Sequence, residues 1–329
     1  MYDVVTLGSA VLDVTIRSKD FRVLKGHQIQ GGVGLCEVYG GKTEVDSLNV
    51  TVGGGGTNSA VSLLKKGLRV GTVVKLGDDE IGGMIKSALS RYKVNDELMV
   101  VEKGGSSALS VILVASDGGR SILTYRGVSK DLVSQEVDWD KMGKAKWFYI
   151  SSLGGKMSLL EDILVFANKR GIKVAVNPGK AELKERARLS RLVDKIDVLL
   201  VNRLELSGLL GVRFEEEKEL IKEAQGLVNR GIVVMTEGKD GATVFSRGLR
   251  VKAEAFRVKS VDDTGAGDAF GSGFVYGRIK GWGLVDSLKA GVANGAGEVM
   301  KVGVKEGVLS LAELKRWMKR ELKIVEEKV

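Results

Sequence analysis

From position 147 onward the chain alternates, and that alternation restricts its fold more than any other feature. Short apolar runs at 147–150 (WFYI), 172–176, 198–201 and 232–236 are separated by stretches of helical spacing. Strands joined through helices lie side by side in the same direction, so the pattern predicts a parallel sheet covered on both faces. The opening of the chain repeats it, with a buried strand over 3–8 (DVVTLG), a helical pattern over 58–66 and a strand over 69–76. A second helix opens at Asp78, Asp79 and Glu80, whose carboxylates suit a helix N-terminus. Three more helical stretches are expected at 267–280, 284–300 and 310–325. The predicted fold class is α/β, with a doubly wound, mostly parallel sheet.

Two segments break the alternation. Residues 14–52 carry glycines, mixed polar residues and short β-type runs without a helical period. Residues 106–125 (SSALSVILVASDGGRSILTY) read as two β runs joined by the turn Asp117-Gly118-Gly119. The expected organisation is an α/β domain built from 1–13, 53–105 and 127–329, with 14–52 and 106–126 forming a small β-sheet lid over a substrate site. A core of this size is within reach of 329 residues that are 43% hydrophobic and 28% charged.

Composition excludes several chemistries. A single cysteine, Cys36, and a single histidine, His27, rule out an internal disulfide, a Cys-rich metal site and a His pair, so acid–base work falls to carboxylates, with lysine or tyrosine as poorer candidates. No apolar run approaches the ~20 residues that cross a bilayer, and Asp3 and Asp13 stand where a signal peptide would be apolar; the expectation is a cytoplasmic protein without a membrane partner. The net charge of +9 favours anionic ligands. Its lysines and arginines are interleaved with glutamates at helical spacing, as in KAELKERARLSR, which reads as a solvated helix face and not as a nucleic-acid surface.

The strongest chemical signal is VDDTGAGDAFGSGFVYG, residues 261–277. Small residues at Gly265, Ala266 and Gly267 open a helix, whose first amides and dipole make a nest for a phosphate or a developing negative charge. Asp268 sits in that nest, placed to accept the proton of an attacking hydroxyl; the plainer reading makes it a complement to the helix dipole. A second segment, VGGGGTNSAVSLLKKG, carries glycines at 53–56 ahead of Asn58, an amide able to donate to and accept from sugar hydroxyls or, more plainly, to cap a helix.

Together these segments resemble the two signatures of the ribokinase, or PfkB, family of carbohydrate kinases. The first keeps its spacing from Gly53-Gly54 through Gly56, Asn58, Ala60 and Gly67 to Gly77, and the second is the Asp-Thr-Gly-Ala-Gly-Asp run ending at Asp268. The resemblance spans essentially the whole chain. It implies ATP-dependent phosphorylation of a hydroxymethyl group, with Asp268 as general base and 265–268 as anion hole. It further implies that Asp13, Gly54, Gly55 and Asn58 bind the sugar, with Arg126 as a candidate on the lid side. Asn202 and Glu205 match the family's Asn-x-x-Glu, whose glutamate organises Mg²⁺, although by itself the pair reads as a helix cap. Thr236, Gly238 and Gly241 resemble the nucleotide loop and Asn294 the adenine-side asparagine; taken alone, they read as a hairpin turn and a helix-surface residue.

The family often binds a monovalent cation such as K⁺, which here would fall to Asp262 and Thr264, with Asp263 adding a carboxylate where many members have threonine, serine or proline. Members often pair through their lids, so a homodimer is expected. A furanose or ketose sugar is the first expectation for the acceptor and a nucleoside the second, with Phe21, Tyr39 and Tyr125 the lid aromatics that could stack on a base. A non-catalytic sugar- or nucleotide-binding regulator is the reading from another class. Two tempting motifs fail. Gly40-Gly41-Lys42-Thr43 lacks a P-loop's first glycine, since Cys36 occupies that place, and no Gly-x-Gly-x-x-Gly follows the first strand.

Overall fold

The computed structural model describes residues 1–29, 32–228 and 231–328; positions 30 and 31 of the expected lid segment lie outside them. Among the described residues nine strands form one sheet. Their spatial order is Ile324–Lys328, Leu249–Ala253, Ala242–Ser246, Ile232–Thr236, Val198–Asn202, Lys173–Val176, Ala145–Ile150, Tyr2–Leu7 and Val70–Val73. From Ile232–Thr236 to Val70–Val73 every neighbour is parallel, and the remaining three strands add on antiparallel.

Successive residues of a strand face opposite sides, and here both sides are apolar. Val4, Tyr149, Ala175, Leu200 and Val234 pack with residues of the helices Gly55–Lys65, Ala266–Ile279 and Leu284–Glu298. Val5, Phe148, Val174, Leu199 and Val233 pack with residues of Met157–Arg170, Arg203–Leu210 and Glu217–Gly226. Burial on two faces is why these strands read as unbroken apolar runs.

The chain changes direction across the sheet at its first strand. Tyr2–Leu7 pairs with Val70–Val73 on one side and with Ala145–Ile150 on the other. Such a switch leaves a crevice at the C-terminal ends of the two flanking strands. Gly8 and Ser151 lie there, the Ser151 amide donating to the Leu7 carbonyl at 2.9 Å and the Gly8 amide to the Val73 carbonyl at 3.3 Å.

A separate four-stranded sheet has the order Arg120–Tyr125, Leu109–Val114, Val11–Arg17, Ser47–Gly53. Asp13, which the sequence places just after the first strand, lies inside Val11–Arg17. In register, Thr51, Asp13, Ser110 and Thr124 share a row and therefore a face, while Val50, Val14, Val111 and Leu123 fill the next row on the opposite face. Leu12 and Val52, on the apolar face, anchor this sheet to Val61, Val74, Leu76, Ile85 and Leu89.

The C-terminus departs from expectation. The helix ends at Met318, and Ile324–Lys328 forms an edge strand against Leu249–Ala253. Ser310 and Glu313 cap the start of that helix reciprocally, while Lys323–Glu254 and Arg250–Glu327 pairs fasten the strand, so local alternation and edge pairing outweigh helical charge spacing.

Candidate active site

Gly265 takes a left-handed φ of 82° and turns the chain into the Ala266–Ile279 helix. The Ala266 amide folds back onto the Asp263 carbonyl at 3.3 Å, which leaves the next first-turn amides to face outward. Space in front of them is open, since a Cβ at Gly267 would meet nothing within 4 Å. Asp268 stands in this first turn, and its Oδ2 accepts the Asn58 Nδ2 donor at 2.9 Å across 210 residues of sequence.

Asn58 reaches that position because of the glycines before it. Gly54 has φ of 95°, and a Cβ there would lie 2.4 Å from the Ser9 carbonyl. At Gly55 a Cβ would stand 2.6 Å from Ser151 Oγ and 3.2 Å from Asp268 Oδ1, and at Gly53 2.0 Å from Asp13 Oδ2. The glycine run thus passes between two carboxylates with no room for side chains. Asp13, Asn58 and Asp268 converge at the crevice beside Ser151.

Burial pushes both aspartates above the usual carboxylate range. For Asp13 the Ser110 hydroxyl and Lys305 act in the opposite direction; for Asp268 the Asn58 amide and Lys305 do. Lys305, which the sequence reading missed, is only 3% exposed and sends its ammonium to Asn58 Oδ1 at 2.5 Å and to the Val52 carbonyl.

The remaining candidates fall into groups. Asn202 and Thr236 are register partners at the C-terminal ends of neighbouring strands. Asn202 Oδ1 accepts from the Glu205 amide at 2.9 Å and Glu205 Oε2 from the Asn202 amide at 2.8 Å, a reciprocal cap; burial raises the Glu205 pKa. Gly238 and Gly241 bound the turn after Thr236 with φ of 57° and 99°. Asp262 Oδ1 accepts from the Thr264 amide and hydroxyl at 3.0 and 2.7 Å, and Arg120, first residue of the Arg120–Tyr125 strand, reaches both Asp262 and Thr264. Arg126 is exposed and makes no hydrogen bond to the Asp268 cluster among the described residues.

Asn294 is fully buried and its amide is saturated, accepting from Lys66 Nζ and the Leu309 amide and donating to the Ala269 carbonyl and Ser62. It keeps no donor or acceptor for an adenine and braces the packing of the Gly55–Lys65, Ala266–Ile279 and Leu284–Glu298 helices instead.

A profile of the pfkB family of carbohydrate kinases matches residues 1–310. The chain belongs to this family. Among its relatives, the 5-dehydro-2-deoxygluconokinase of Clostridium perfringens is 28% identical over 85% of this chain and 87% of its own length. The ribokinase of Haemophilus influenzae is 27% identical over 79% and 84%. The solved structure of Arabidopsis thaliana ribokinase complexed with ribose and ATP superposes with a TM-score of 0.81 at 21% identity, covering 97% of this chain and 99% of that one. The fold of this pfkB kinase is therefore ribokinase-like. Among the described residues no helix is long and apolar enough to cross a membrane.

Proposed function

We propose that this kinase transfers the γ-phosphoryl group of ATP to a hydroxymethyl group of a furanose or ketose sugar. The observation that carries the reading is the Asn58–Asp268 bond, which unites the two glycine-rich signatures beside Asp13 and beneath an open helix N-terminus. The acceptor oxygen attacks phosphorus, the bond from phosphorus to the ADP oxygen breaks, and the hydroxyl proton passes to Asp268. First-turn amides at 265–268 steady the charge on the moving phosphoryl group, and Asp13 with Asn58 holds the sugar. A buried carboxyl with a raised pKa is better matched to proton capture near neutral pH than an exposed one.

Among the described residues no three His, Cys, Asp or Glu side chains converge, which suits a Mg²⁺ that arrives on the nucleotide's phosphates and not a resident ion. Glu205 would meet it through water, beside Asn202, Thr236, Gly238 and Gly241 on the ATP side. Bound Mg²⁺ neutralises phosphate charge. Arg120 already supplies positive charge at Asp262 and Thr264, so the mechanism routes no step through K⁺.

The sheet carrying Asp13 acts as the lid, its polar row of Thr51, Asp13, Ser110 and Thr124 toward the sugar. Exposed Leu48, Val50 and Leu123 lie on its opposite face, a surface suited to pairing two lids in a homodimer, with a protein concentration series in sedimentation as its test. A sugar is favoured over a nucleoside because Phe21 is buried and Tyr125 falls in the Leu12–Leu109 row, on the face of the sheet opposite Asp13. Replacing Asp268 with asparagine keeps the bond partner but removes the base: kcat should fall by roughly 10²–10⁴-fold with ATP binding retained. Acceptor-dependent ATP consumption by the variant at the wild-type rate would sink the mechanism.

A further inference from the structure

The loop after the Leu284–Glu298 helix delivers a buried cation to the site, and no step above uses it. Lys305 Nζ donates to Asn58 Oδ1 and to the Val52 carbonyl, while Asn58 Nδ2 donates to Asp268 Oδ2 at 2.9 Å. The two ends of an asparagine amide are nearly equal in shape, so what faces each end decides its orientation. An ammonium has only protons to give; it holds the amide oxygen and leaves the NH₂ group for Asp268. With the amide turned over, its oxygen would face Asp268, and only a protonated Asp268 could bond to it. That form cannot take a proton from an alcohol.

We propose that Lys305 is a positioning residue of the transfer reaction: its ammonium fixes the Asn58 amide and thereby keeps Asp268 an unprotonated acceptor aimed at the substrate hydroxyl. This rests on the kinase reading above. Charged groups face Lys305 from several elements: Asp268 from the Ala266–Ile279 helix, Asp13 from the lid strand, Glu298 from the end of its helix, and Glu306 beside it. Lys65 faces Glu298 and donates to the Lys305 carbonyl at 2.6 Å, and Tyr149 faces Asp268. Burial brings the Lys305 pKa down to about 7, while the two aspartates hold the proton on.

The test is a pH series of kcat for the wild type, Lys305→Met and Lys305→Gln, using MgATP with D-fructose, D-ribose and adenosine as acceptors. In both variants kcat at pH 7 should drop by about 10- to 100-fold, with KM for ATP nearly unchanged. The acid limb, where Asp268 protonates, should move up by about one pH unit, since a neighbouring positive charge has been removed. A packing role alone would lower the melting temperature and leave that limb in place. An unmoved limb in either folded variant overturns the proposal; if the Met variant fails to fold, the polar Gln variant carries the test. A wild type inert with all three acceptors instead counts against the kinase reading itself, and the proposal falls with it.

Discussion

Glu298 shows what a single buried side chain does to this protein's pH response. It is fully buried, and neither carboxylate oxygen makes a well-formed hydrogen bond among the described residues. Burial raises its pKa from 4.5 to about 7, against the pull of Lys65 and the Gly307 backbone. The unfolded chain ionises this carboxyl near 4.5, whereas the folded chain resists ionisation until about 7. Its effect on stability is therefore absent below the lower value, grows as pH rises between the two and is complete above the higher. Glu298→Gln should melt at a higher temperature than the wild type at pH 8, with the gap closing as pH falls toward 5; equal melting temperatures at pH 8 would refute this. At this scale the sequence revealed only part of the site. Asp13, Asn58 and Asp268 are legible because close backbone approach demands glycine around them. Lys305 and Glu298 are not, because in GEVMKVGVKEG they look like any surface charge, and only tertiary burial sets them apart.

Among the elements, the hairpin of Leu109–Val114 and Arg120–Tyr125 was readable from Asp117-Gly118-Gly119, but its reach was not. Arg120, at the start of the second strand, touches Asp262 and Thr264, just ahead of the Gly265 turn. The hairpin and the Gly265 turn are thereby linked by one guanidinium. Arg120→Ala should raise KM for the acceptor several-fold more than it lowers kcat, and should increase ATP hydrolysis without acceptor, as expected when a closing element loosens. Parallel kinetics with and without acceptor measure both effects, and unchanged coupling would show that the contact is not a latch. The C-terminal strand was illegible for a related reason: KIVEEK carries charges at a spacing that suits either a helix or an edge strand, and pairing with Leu249–Ala253 decides between them.

For the whole molecule, the doubly wound class was legible because apolar runs covered on both faces alternate with helices. The sheet order was not, since it depends on which side of the first strand each later strand joins. A net charge of +9 surrounds the proposed ATP site, and at ~0.15 M salt such fields are screened within about 8 Å. KM for ATP should therefore rise with added salt while kcat stays nearly level, as initial rates across a KCl series would show; a flat KM would mean that local contacts alone capture the nucleotide. The contact between Asn58 and Asp268 has a consequence for synthesis. The two ends of that bond lie 210 positions apart, and Lys305 follows later still. A chain emerging from the ribosome therefore cannot bring Asn58, Asp268 and Lys305 together until nearly all of it has been made, so on the proposed reading an unfinished copy has no phosphoryl-transfer centre and spends no ATP.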